Sequence, residues 1–87
     1  MYVIAGIKNK RTKYIICIDE NKTVCWDNPL IRPNNMKIFK TVKSAEKFLY
    51  NMLNKTRYKI NNKNIDLSNI TIEGINLIPV VNYDFSE

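Results

Sequence analysis

The chain has 87 residues, 45% of them apolar and 25% charged, which is room for one domain (1–87) around one core. Fourteen Lys and Arg against eight Asp and Glu give a net charge of +6 at neutral pH. Histidine is absent and the only glycines are Gly6 and Gly74, so imidazole catalysis, imidazole metal ligation and glycine-rich phosphate loops are excluded.

Tyr2 to Ile7 is β-branched and aromatic and reads as a strand. Lys8 to Thr12 is polar and basic, a hairpin loop. Lys13 to Ile18 is a second strand, and its unbroken apolar run implies burial on both faces or a central place in the sheet. Asp19 to Lys22 is a turn cluster, and Thr23 to Trp26 a short third strand. A four-residue turn at 19–22 sets Cys17 against Val24 and Cys25 against Ile16, with the thiols on opposite faces. A three-residue turn would instead pair Cys17 with Cys25. The first register is the one expected, with two apolar thiols in the core.

Asp27 to Asn35 holds Pro29 and Pro33 and reads as a loop. Lys37 to Lys40 alternates polar and apolar, a short strand. Thr41 then offers a helix N-cap. Val42, Ala45, Phe48, Leu49, Met52 and Leu53 recur at spacings of three and four, which predicts a helix over about 42–54 with one apolar stripe. Residues 55–64 read as polar loop, ending in a turn at 61–64. Ile70 to Glu73 has strand character, with Gly74 a bend or bulge. Leu77 to Tyr83 is a last extended segment that Pro79 confines to an edge or a bulge. The fold class expected is α+β: a three-stranded antiparallel meander plus short strands, one helix on one face, and a C-terminal extension.

Charge is uneven along the chain. Residues 1–18 carry +4, 19–31 carry −2, 32–63 carry +8 and 64–87 carry −4. Asn, Ile and Lys make up 37 of the 87 residues, a bias that AT-rich codons would produce and that supplies part of the positive charge without selection for function. Asp19, Glu20 and Asp27 lack the spacing and glycine of a calcium loop, so no metal or cofactor is expected. Cys17 and Cys25 have no neighbouring base to activate them, so the expectation is a protein that is not an enzyme. The first apolar run is too short for an export signal, and no stretch is long enough to span a bilayer. A cytoplasm with reduced thiols is the expected setting.

The segment from Trp26 through Met36-Lys37-Ile38-Phe39-Lys40-Thr41-Val42-Lys43-Ser44-Ala45-Glu46-Lys47-Phe48 resembles small accessory proteins of phages and mobile elements from low-GC Gram-positive bacteria. Many of these have a β-hairpin, a Trp soon after it, an Ala-x-x-Phe strand, then Thr and an Ala-Glu helix. The likeness covers about residues 13–53, and Met36 departs from the small residue commoner there. The resemblance implies a phage-type accessory protein expressed in a bacterial cytoplasm; some small proteins of this sort inhibit host defence, anti-CRISPR proteins that bind a CRISPR effector among them, and the resemblance supplies no catalytic residues.

The residues themselves mark two sets of cations for binding a partner or a phosphate. Lys8, Lys10, Arg11 and Lys13 crowd the first hairpin, with Arg11 the one whose planar fork grips carboxylate or phosphate best. Lys40, Lys43 and Lys47 recur at helical spacing, and Arg57 and Lys59 follow them. Tyr50 and Tyr58 stand where they would stack on bases or pack at a boundary. Trp26 reads as a core plug beneath the helix. The expected function is stoichiometric inhibition of a host defence protein. The alternatives are a small nucleic-acid-binding accessory protein and an oligomeric sponge for an anionic nucleotide signal.

Overall fold

The computed structural model describes residues 1–8, 11–18, 24–28, 36–61 and 65–86. The expected turn at 19–22, residues 62–64 of the turn expected at 61–64, residues 29–35 of the loop expected at 27–35, and Lys10 lie outside the described residues. So do the side chains of Lys8, Arg57, Tyr58 and Lys59. Asn61 closes the helix instead of opening the turn expected at 61–64.

Five strands and one helix follow in the order β1 (Tyr2–Lys8), β2 (Thr12–Ile18), β3 (Val24–Asp27), α1 (Val42–Asn61), β4 (Ile65–Gly74) and β5 (Pro79–Tyr83). The strands form one antiparallel sheet in the order β3-β2-β1-β4-β5, with the helix packed on one face. The α+β class expected from the sequence is what the chain adopts. The meander β1-β2-β3 forms as read, and β4 then pairs with the open side of β1. The N-terminal strand therefore lies at the centre of the sheet.

Alternation along the strands sorts the side chains onto two faces. Ile4, Ile16, Trp26, Ile70 and Ile72 pack under the helix residues Ala45, Leu49 and Met52. Val3, Ala5 and Ile15 form a second buried cluster on the other face, with Met36 against it. Burial on both faces explains the continuous apolar run of β2, where Ile15, Ile16 and Cys17 are all buried. Trp26 is the core plug expected. A Cβ placed on Gly6 would lie 2.6 Å from Ile65 Cγ2 and 3.1 Å from Trp26 Cζ3, so the close fit of these two side chains over β1 requires glycine.

The pairing corrects the expected cysteine register. Cys17 stands directly opposite Cys25 and Ile18 opposite Val24, the other of the two registers that the sequence allowed. Both thiols therefore share the face away from the helix, Cys17 buried and Cys25 half-buried, and neither is in a disulfide.

Residues 36–39 act as a wedge. The ladder between β1 and β2 runs only as far as Ala5↔Ile15. Beyond it the two strands part, and Lys37 N donates to Ile16 O at 2.9 Å on one side. Tyr2 and Phe39 exchange two hydrogen bonds of 2.8 Å on the other. The short strand read at Lys37–Lys40 thus fills the gap and carries Phe39 into the core.

The helix begins at Val42 as expected but runs to Asn61, well past residue 54. Its apolar stripe does end at Leu53, yet residues 54–61 contain no Pro or Gly to stop it, and Lys and Arg propagate a helix well. In β4 a wide irregularity sets one residue of β1, Ile7, against four of β4, because Gly6 pairs with Ile70 and Lys8 with Ile65. Inside it, Asp66 Oδ1 accepts from Ser68 N at 3.0 Å and from Ser68 Oγ at 2.6 Å, closing a local turn. The irregularity reverses which residues face the helix, so that Ile65 on one side of it and Ile70 and Ile72 on the other all reach the same core.

β5 is an edge strand with a register shift where Glu73 meets Pro79, as Pro79 led us to expect. The turn before it is closed by Leu77 N to Gly74 O at 2.8 Å and Gly74 N to Ile78 O at 3.0 Å. Leu77 holds a left-handed backbone, φ 64°. A leucine in this region costs roughly 1–2 kcal/mol, which glycine would not pay.

Candidate binding surface

The helix start is built by a reciprocal cap. Ser44 N donates to Thr41 Oγ1 at 3.1 Å, and Thr41 N donates to Ser44 Oγ at 3.3 Å. Thr41 Oγ1 also donates to Ser44 Oγ at 3.0 Å, and Ser44 Oγ to Thr41 O at 2.9 Å. The first turn has no acid, so Lys43 sits against the positive end of the helix dipole without a local counter-charge. Lys40, Lys43 and Lys47 are all exposed, and none forms an ion pair with a described residue. Together with Thr41, Ser44, Glu46 and Tyr50, Lys43 and Lys47 line an open recess of about 500 Å³.

Glu46 is the only acid in this stretch, and it is occupied. Tyr83 Oη donates to Glu46 Oε2 at 2.5 Å, tying β5 to the helix. Burial, with the Glu46 carboxylate beside it, raises the Tyr83 phenol well above its ordinary range. Tyr83 and Phe85 stack at 5.6 Å, and Tyr50 meets both edge-on at 6.2 and 5.9 Å. Tyr50 is thus held upright at the end of the lysine row while remaining 46% exposed.

The first hairpin is arranged differently. Arg11 is exposed in the turn between β1 and β2. Lys13 is not available in the same way: its Nζ lies 2.8 Å from Glu73 Oε1, the lysine side chain 36% exposed and the glutamate side chain 2%. Glu73 Oε2 also accepts from Thr71 Oγ1 at 2.8 Å. Lys13 starts opposite Ile7 and Glu73 opposite Val3, so the two converge diagonally across β1 past Ala5. This buried acid was read from the sequence only as part of an acidic C-terminal quarter. Lys37 is a further cation that the sequence left unassigned; its Nζ lies 5.6 Å from the centre of the Phe39 ring and 5.9 Å from that of Phe48.

The two cationic groups do not merge. Tyr2, beside the helix start, and Lys8, beside the hairpin turn, are opposite ends of β1, about 20 Å apart at 3.3 Å per residue. Because Ile65 pairs with Lys8, the helix crosses back towards the hairpin, and Arg57 and Lys59 occupy its last turns at that end. Comparison with known protein families, curated proteins and solved structures finds no match to this chain. Among the described residues no group of three or more Cys, Asp or Glu is placed to hold a metal, and no helix is long and apolar enough to cross a membrane.

Proposed function

We propose that this chain is a non-enzymatic binding protein that occupies an acidic surface on a partner protein, with the lysine flank of the helix as its contact. The observation that carries the reading is the row Lys40, Lys43 and Lys47, exposed and without an ion pair among described residues while the neighbouring Glu46 is bound to Tyr83. Cations held ready on a rigid helix steer an acidic partner and fix its register. The buried acid does not offer an alternative chemistry, since Lys13 and Thr71 take up its oxygens. The resemblance to phage accessory proteins suggests a host defence protein, such as a CRISPR effector, as the partner.

A second reading uses the same flank on nucleic acid, with the exposed ring of Tyr50 beside Lys47 as a stacking surface. The two separate in one experiment. The tagged chain and a Lys43→Glu/Lys47→Glu variant are used to capture partners from bacterial lysate, with and without nuclease. A protein partner stays bound in a fixed molar ratio after nuclease and is lost from the variant, whose melting temperature is unchanged. Retention of nucleic acid alone, with affinity falling steeply as salt rises, supports the second reading. Identical capture by the variant refutes both.

A further inference from the structure

Six of the seven large apolar side chains that are exposed among the described residues gather at one end of the sheet. They are Met1, Ile38, Ile75, Leu77, Ile78 and Val80. The pairing explains the gathering. Tyr2 lies between Phe39 on one side and Gly74 on the other, so the wedge, the N-terminal residue and the β4–β5 turn meet there. Ile75 N donates to Met1 O at 3.0 Å, which ties the turn to the end of β1. Ile78, the most exposed apolar residue of the turn, has 60% of its surface in water.

We infer that this apolar end is the contact surface of a two-fold homodimer. Three features select a second copy as the occupant. First, the six side chains expose on the order of 500 Å² of apolar surface, as much as the largest patch on an ordinary monomer. Two copies covering all of it would bury at most about 1,000 Å², the area at which specific interfaces begin. Second, residues 75–83 contain no charged side chain, although the whole chain carries +6. Copies approaching by other basic faces repel, whereas residues 75–83 meet their own image without a like-charge clash; the Met1 ammonium and the Lys37 and Lys40 side chains beside Ile38 place the cations of this end outside that segment. Third, Leu77 keeps a bulky apolar side chain at φ 64°, where glycine or asparagine would close the same turn without strain. Strain kept at an exposed position points to use of that side chain. The contact is made by side chains and not by extending the sheet, because Pro79 lacks a donor and the register shift beside it breaks the outer edge of β5.

The test is sedimentation velocity of the full chain from about 1 µM to about 1 mM, the range in which so small an interface associates. The expected result is a concentration-dependent shift from monomer to dimer mass. Leu77→Asn should raise the dissociation constant tenfold or more, about what loss of one central apolar contact does. Its monomer should melt no lower than the parent, since asparagine tolerates the left-handed backbone. Ile78→Asp, at the most exposed apolar position of the turn, should also abolish the dimer while leaving the monomer folded by circular dichroism. A parent chain that stays monomeric up to about 1 mM overturns the inference. So does a dimer that survives Ile78→Asp unchanged, or a patch that binds neutral phospholipid vesicles instead of a second copy. A Leu77→Asn variant that melts lower but still dimerises normally overturns the role given to Leu77. Lys43 and Lys47 are not among the six side chains of this surface, so Lys43→Glu/Lys47→Glu leaves the dimer intact whatever it does to partner capture.

Discussion

Replacing Lys13 by methionine keeps the length of the side chain and removes its charge. Glu73 is then left with Thr71 as its one described partner, in a site where only 2% of its side chain reaches water. Stranding a fully buried charge costs about 3–5 kcal/mol. Lys13 is 36% exposed, so water screens the pair and will partly replace the ammonium. We therefore expect a loss of about 2 kcal/mol. For 87 residues the unfolding entropy is about 0.18 kcal/mol per degree, so differential scanning calorimetry should show a melting temperature about 11 °C lower. Adding Glu73→Gln removes the stranded charge and keeps an acceptor for Thr71, and should recover at least about half of the loss. A single variant that melts within about 2 °C of the parent would refute the reasoning, because Lys13 would then contribute no more than an exposed surface cation. So would a double variant no more stable than the single one. The outcome also bears on function: a lysine that holds the sheet together reduces partner binding only by unfolding the protein, which Arg11→Ala at the hairpin tip should not do.

Three further outcomes are expected. Gly6→Ala places a methyl 2.6 Å from Ile65 Cγ2 and should destabilise the protein by about 1–3 kcal/mol in a urea titration, with an unchanged slope. Thr41→Ala removes one arm of the reciprocal cap and should cost about 1 kcal/mol, visible as an earlier loss of helical circular dichroism on heating. The phenol of Tyr83 is raised above its ordinary 10.0 by burial and by Glu46, so its protonated form is favoured in the folded state. Its contribution is whole below about pH 10 and is lost as the pH climbs through the higher folded value; Tyr83→Phe should abolish that alkaline decline in melting temperature.

Local signals carried the reading of the elements. β1, β2 and the helix start at Thr41 were legible because each has its own period, cap or turn chemistry within a few residues. The helix end was not, since the apolar stripe stops at Leu53 but nothing terminates the backbone until after Asn61. The cysteine register was misread because turn composition does not say how many residues leave the ladder. The pairing of β4 with β1 joins residues some seventy positions apart, as Tyr2↔Gly74 shows, and no local pattern encodes it. The candidate surface divides in the same way. Lys40, Lys43 and Lys47 follow from helical spacing, whereas the diversion of Lys13 to Glu73 and the bracing of Tyr50 by Tyr83 and Phe85 depend on long-range packing.

The central place of β1 has a consequence for how the protein comes into being. A chain leaving the ribosome presents its first strand early, but the neighbour on one side of that strand is not made until residues 65–74 have been translated. Until then the nascent molecule holds an unclosed hairpin whose unpaired backbone edge and apolar side chains are open to other chains. Such late closure makes slow elongation or a stalled ribosome more damaging here than in proteins built from neighbouring segments.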